Sequence, residues 1–108
     1  MRAMVLPTWY AQMGEEKDIA VYATHDALAD MSASTATFEV WSASSAVVLA
    51  PTVATVTGTS KLRISYHVTL KAAGTITVAG KYRGIFRHSF GADVFQVEIP
   101  IVVSSRPS

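Results

Sequence analysis

The stretch Lys61-Leu62-Arg63-Ile64-Ser65-Tyr66-His67-Val68-Thr69-Leu70-Lys71 alternates apolar and polar side chains without a break. Successive side chains of a strand point to opposite faces, so Leu62, Ile64, Tyr66, Val68 and Leu70 share one face. Lys61, Arg63, Ser65, His67, Thr69 and Lys71 share the other. The pattern predicts a strand with one buried and one wet face. Each large apolar side chain buried contributes about 1.5–3 kcal/mol, so a charge at Tyr66 or Val68 is expected to unfold the domain.

The same period-two pattern recurs along the chain. Residues 18–24 set Ile19, Val21 and Ala23 on one side. Thr35–Ser42 sets Ala36, Phe38 and Val40 opposite Thr37, Glu39 and Trp41. Residues 46–50 and 52–57 flank Pro51, which marks a bend or a sheet edge. After the Ala73-Gly74 turn come further strands at 75–78, 80–88 and 94–103. The last turns Phe95, Val97, Ile99, Ile101 and Val103 to one face, and its Pro100 donates no ladder bond, which implies a free side near its end. No long segment repeats apolar residues at helical spacing, and a turn around residues 25–31 is the one helical candidate. Seven or eight short strands with turn signals every 8–12 residues predict an all-β antiparallel sandwich.

The chain has 108 residues, half of them hydrophobic, and no cysteine. That is the length of one domain. A disulfide framework and a thiolate metal site are excluded, and a reducing cytoplasm is the expected place of synthesis. The formal net charge of +1 points to no polyanionic partner. Acidic residues gather in the first half and basic ones in the second, but strands of a sandwich interleave. No apolar run approaches the roughly 20 residues of a membrane span. Residues 1–10 look like a signal peptide, but Pro7 interrupts them and no small-residue cleavage site follows, so they are read as mature protein. The expected organisation is an N-terminal arm over 1–14, a sandwich over 15–104 and a tail over 105–108.

The run Ile76-Thr77-Val78-Ala79-Gly80-Lys81-Tyr82-Arg83-Gly84 resembles the E–F corner of immunoglobulin-like domains. There a Gly and a Tyr open strand F, and the Tyr hydroxyl bonds to upstream backbone. The resemblance makes Gly80 and Tyr82 a structural corner. It places Gly84 where antibody-type domains carry their second cysteine, so the chain is not of antibody type. A second stretch, Leu28-Ala29-Asp30-Met31-Ser32-Ala33-Ser34-Thr35-Ala36-Thr37-Phe38-Glu39-Val40-Trp41, is similar to the opening of small structural domains of tailed phages. The N-terminal domain of phage baseplate upper proteins is an example. Those domains close with an Ala-Gly-x-Tyr strand and a last strand near the C-terminus, as in residues 79–82 and 94–103 here. The resemblance spans residues 17–104. It implies an immunoglobulin-like fold and a virion structural component assembled through contacts with other virion proteins, and it carries over no active site.

The residues themselves suggest little chemistry. His25, His67 and His88 lack zinc-motif spacing, and neither a nucleophile elbow nor a phosphate-binding glycine pattern occurs. Asp26, Asp30 and Glu39 read as loop and surface acids that favour solubility. Catalysis, cofactors and metals are therefore not expected. Arg63, His67 and Lys71 share one strand face, and Arg83 and Arg87 flank Ile85 on another. They read first as ordinary wet faces. If both strands lie in one sheet, they read also as a basic stripe for an acidic protein surface. Nucleic acid is not expected, because stacking aromatics are not interleaved with the charges.

Met4, Val5, Leu6, Trp9, Tyr10 and Met13 make the N-terminal arm apolar. Trp and Tyr are favoured interface anchors. Two readings stand: the arm packs on a neighbouring subunit, or it forms the first strand of its own sandwich. The expected function is that of a non-enzymatic virion structural protein of a tailed phage, assembled in the host cytoplasm. A capsid decoration (cement) protein comes first, a small neck, tail or baseplate component next. The expected partners are the major capsid protein or tail and neck proteins, and copies of itself, with a homotrimer suiting the three-fold sites of a capsid. The alternative is a free-standing carbohydrate-binding module using Trp41, Trp9 or Tyr10 as stacking platforms.

Overall fold

The computed structural model describes residues 2–24, 34–58, 61–90 and 93–105. These form nine strands: β1 (Arg2–Val5), β2 (Trp9–Gln12), β3 (Glu16–Thr24), β4 (Thr35–Ser42), β5 (Val47–Val53), β6 (Thr55–Thr57), β7 (Lys61–Thr69), β8 (Gly80–Phe90) and β9 (Asp93–Ser104). One sheet runs β1-β9-β8-β4-β5, with β2 also on β9, and the other runs β3-β7-β6. This is an immunoglobulin-like sandwich whose larger sheet carries an extra edge strand, β5, beside β4. The helical turn expected around residues 25–31 lies outside the described residues.

The two sheets close on side chains that the alternation assigns inward. Ile19, Phe38, Val40, Leu62, Ile64, Val68, Leu70, Ile76, Phe86 and Ile101 are fully buried. Tyr66 is half-buried, and its ring stacks on Phe38 with centroids 5.1 Å apart. Phe38 also meets Phe86 at 4.6 Å, so one ring links the two sheets. β8 carries Gly84 directly under this ring. A Cβ there would stand 3.0 Å from Phe38 Cε1 and 2.9 Å from Ile101 Cδ1.

Residues 2–5 and 9–12 are strands of the sandwich. β1 pairs parallel with β9 through Val5↔Glu98, and β2 continues along it from Trp9↔Ile101. Both pairings are parallel, in a sandwich whose other strand pairs are antiparallel. The strand breaks between them at Pro7, alongside Pro100 of β9, two residues that lack an N–H to donate. Leu6 N–H still reaches Glu98 O (2.9 Å), and Met13 N–H reaches Ser104 O (3.0 Å). β1 and β2 thus share one lateral position, and the nine strands fill the number of positions the turn spacing predicts.

Two further expectations are corrected. Residues 75–78 are not a strand. Ile76 makes a single bridge to Leu70 and is fully buried, acting as a plug within a connecting loop. Pro51 does not separate two strands but sits inside β5, an edge strand where proline is tolerated. The chain changes sheets at Ala54, which is buried and donates to Ala36 O at 3.0 Å.

Candidate functional site

Register decides what the larger sheet shows to the outside. Across it run the rows Val5–Glu98–Ile85–Glu39, Arg83–Trp41–Val47 and Arg87–Thr37–Val53, all on the face opposite Phe38 and Ile101. Tyr10 pairs with Val102, and Val94 with Ser89, on that same face. Val5, Tyr10, Val47, Val53 and Val94 are all exposed, Val53 to 81% and Val5 to 67%. Exposed apolar side chains therefore concentrate on one face of one sheet.

The charges on this face close on one another. Arg83 Nη1 lies 3.5 Å from Glu98 Oε1, and Arg87 Nη1 lies 2.7 Å from Glu39 Oε1. Arg87 Nε also donates to Gln96 Oε1 (3.2 Å), and Trp41 Nε1 donates to Glu39 Oε2 (2.8 Å). The covering side chains leave Glu39 3% exposed and Ile85 7%, although both point away from the core. Glu39 is thus a buried carboxylate held by an arginine and an indole, not the surface acid expected from sequence. Paired charges ringed by Trp, Tyr and Val make a composition suited to protein contact.

The edges of the same sheet are blunted. Tyr10 O of edge strand β2 accepts from Lys17 Nζ (2.8 Å), and Gln12 N–H donates to Glu15 Oε1 (2.6 Å). On the opposite edge, β5 carries Pro51 and register shifts, and Thr52 Oγ1 donates to Ala50 O (2.8 Å). Bulges, prolines and charged side chains at an edge discourage further strand pairing. A shallow cleft of about 250 Å³ at the β2 rim is lined by Tyr10, Ala11, Gln12, Glu15, Val102 and Ser104.

The smaller sheet presents a wet outer face. His67 Nδ1 lies 2.9 Å from Asp18 Oδ1 and Nε2 lies 3.6 Å from Glu16 Oε1, while Arg63 Nη2 lies 3.6 Å from Asp18 Oδ2. The bond to Asp18 raises the His67 pKa above its ordinary value, and the bond to His67 lowers that of Asp18. On the inner side of β8, His88 is 4% exposed, stacks on Phe95 at 5.9 Å, and finds no hydrogen-bond partner among the described residues for either ring nitrogen. Burial pushes its pKa down. Among the described residues, no group of three or more His, Asp or Glu side chains is placed to hold a metal ion.

The residues singled out from sequence therefore divide. Val5 and Tyr10 of the N-terminal segment face outward, whereas Leu6, Trp9 and Met13 pack against the core. Met4 lies in β1, opposite Val97. Arg83 and Arg87 belong to the outer face of the larger sheet, but Arg63 lies on β7 in the other sheet, so the three form no common stripe. Gly80 opens β8, and the Tyr82 hydroxyl donates to Val78 O, the corner expected from the resemblance. Sequence reading missed Glu39, Ile85, Glu98, Val47 and Val53 as partners on one face. The alternation around Phe38 marks Glu39 and Trp41 as outward, but only strand register brings them to Arg87. Neither a protein-family model nor a curated protein matches the chain.

Proposed function

We propose that this chain is a non-catalytic structural domain that joins its neighbours through the outer face of its six-stranded sheet. The proposed setting is a tailed-phage particle, first as a capsid decoration protein and otherwise as a small neck, tail or baseplate component assembled in the host cytoplasm. The observation that carries the docking role is the concentration of exposed Val5, Tyr10, Val47, Val53 and Val94 on one face whose charges are paired internally. Such a face costs less to take out of water than one whose charges are unpaired, because its ionic groups keep their partners. The phage setting is supported by the resemblance of residues 28–41 and 79–82 to small virion domains.

The alternative, a carbohydrate-binding module, would draw on Trp41, Trp9 or Tyr10 as a stacking platform. Trp9 faces the core with Lys17 Nζ 5.0 Å above its ring, and Trp41 and Tyr10 stand on strands separated by β8 and β9. The test is co-sedimentation with particles of the phage whose genome encodes the chain. The parent chain is expected to sediment with them saturably, and Val53→Arg to lose at least tenfold in affinity. Particles that carry none of the chain, or binding indifferent to Val53→Arg, would contradict the proposal.

A further inference from the structure

The docking face is close to symmetric about its central strand. β8 has β9 and then β1/β2 on one side, and β4 and then β5 on the other. Both outer positions carry exposed apolar side chains, Val5 on one rim and Val47 and Val53 on the other. Their rows interleave. Val5 stands level with Ile85, while Val47 stands level with Arg83 and Val53 with Arg87, one row to each side.

From this we infer that the partner on the face is a second copy of the chain, turned over about a two-fold axis running along β8. The inference rests on the docking role proposed above. That rotation exchanges the two rims, so Val5 of one copy drops between Val47 and Val53 of the other, twice, with Ile85 on the axis. A two-fold contact requires a patch complementary to itself, and an offset of rows across a symmetric sheet supplies one. Strand directions of sheets packed face to face stay within about 30° of each other, which matches an axis along the strands. The axis also sets Arg83 and Arg87 opposite their own copies and Glu39 opposite Glu98 of the second copy, so each guanidinium meets the partner with its own carboxylate beside it. The size also suits. Five strand positions at about 4.8 Å and strands near 30 Å long give roughly 700 Å². A standard interface covers about 800 Å² per partner. With edge strands β2 and β5 blunted, the face offers a second copy more contact than the edges do.

The arrangement makes an asymmetric demand that a mixing experiment reads. Val5→Lys and Val53→Glu each place a charge against a valine in the homodimer, and each is expected to raise the dimer dissociation constant at least tenfold by sedimentation equilibrium. Mixed in equal amounts, the two variants form a heterodimer in which the new lysine faces the new glutamate and the other rim pair is native. Association is expected to return to within about threefold of the parent. Tyr22→Lys, on the exposed face of the other sheet, is expected to leave the dimer unchanged, and thermal melts confirm that each variant is folded. A parent chain that stays monomeric at millimolar concentration overturns the inference. So do variants that dimerise like the parent, or single variants that weaken without recovery on mixing. A monomer that still binds phage particles through Val53 would leave the docking role standing and remove only the second copy.

Discussion

The Tyr82 hydroxyl donates to the Val78 carbonyl at 2.6 Å, across a separation of four residues. The bond anchors the start of β8 to the loop that delivers it from β7. A neutral hydrogen bond of this kind contributes about 1 kcal/mol net. Tyr82→Phe is expected to lower stability by about that amount with an unchanged far-ultraviolet circular dichroism spectrum. A urea midpoint equal to the parent's would show that the corner holds without it.

Gly84 leaves space that the Phe38 ring fills. Ala at this position would set its Cβ 3.0 Å and 3.1 Å from two ring carbons of a fully buried side chain. Overpacking a filled core costs about 1–3 kcal/mol. Gly84→Ala is expected to fall in that range by denaturant melt, and a stabilised protein would mean that the ring has room to turn.

Glu39 depends on Arg87 more than Arg87 depends on Glu39, because the carboxylate is buried and the guanidinium is half-exposed. Arg87→Ala strands the carboxylate with Trp41 Nε1 as its remaining polar partner. The expected loss is about 1–3 kcal/mol, the cost of a buried group left unsatisfied. Glu39→Gln removes the charge yet keeps an oxygen for the indole, and should cost less. In the Arg87→Ala background, Glu39→Gln should recover stability. Equal losses for the two single variants, measured by urea titration, would contradict this ordering.

Acid acts on the two described histidines with opposite sign. Burial lowers the His88 pKa from 6.5, so the unfolded chain binds the proton first. Stability from this residue falls as pH drops below about 6.5, until the folded imidazole itself titrates. The bond to Asp18 raises the His67 pKa above 6.5, so its contribution is full below that pH and is lost as pH rises through the raised value. Asp18, lowered from 3.8, contributes above that pH and loses its contribution as pH falls through the depressed value. His88→Leu is expected to flatten the decline of stability on mild acidification, and His67→Ala to steepen it. Melts from pH 7.5 to 5 decide it. A parent-like slope in His88→Leu would show that His88 gains a proton as easily folded as unfolded.

The sandwich was legible because its strands alternate cleanly. Leu62, Ile64 and Val68 turned inward as their spacing requires, and so did Phe38 and Ile101. The N-terminal segment was ambiguous because Val5 and Tyr10 are as apolar as Leu6 and Trp9, and only pairing with β9 separates the two faces. Residues 75–78 misled because a β-rich tetrapeptide next to a turn looks the same whether it pairs along its length or lodges a single isoleucine. The Glu39–Arg87 pair was illegible for a different reason. The two residues are 48 positions apart, and their contact depends on the β4–β8 register, a property of the assembled sheet.

Lys17, Glu15 and Thr52 spend their polar groups on the backbone of β2 and β5. Crowding many copies into a small volume therefore offers little purchase for fibrous growth, in which sheets lengthen strand by strand. A protein with these margins resists open-ended strand addition at the edges of its larger sheet.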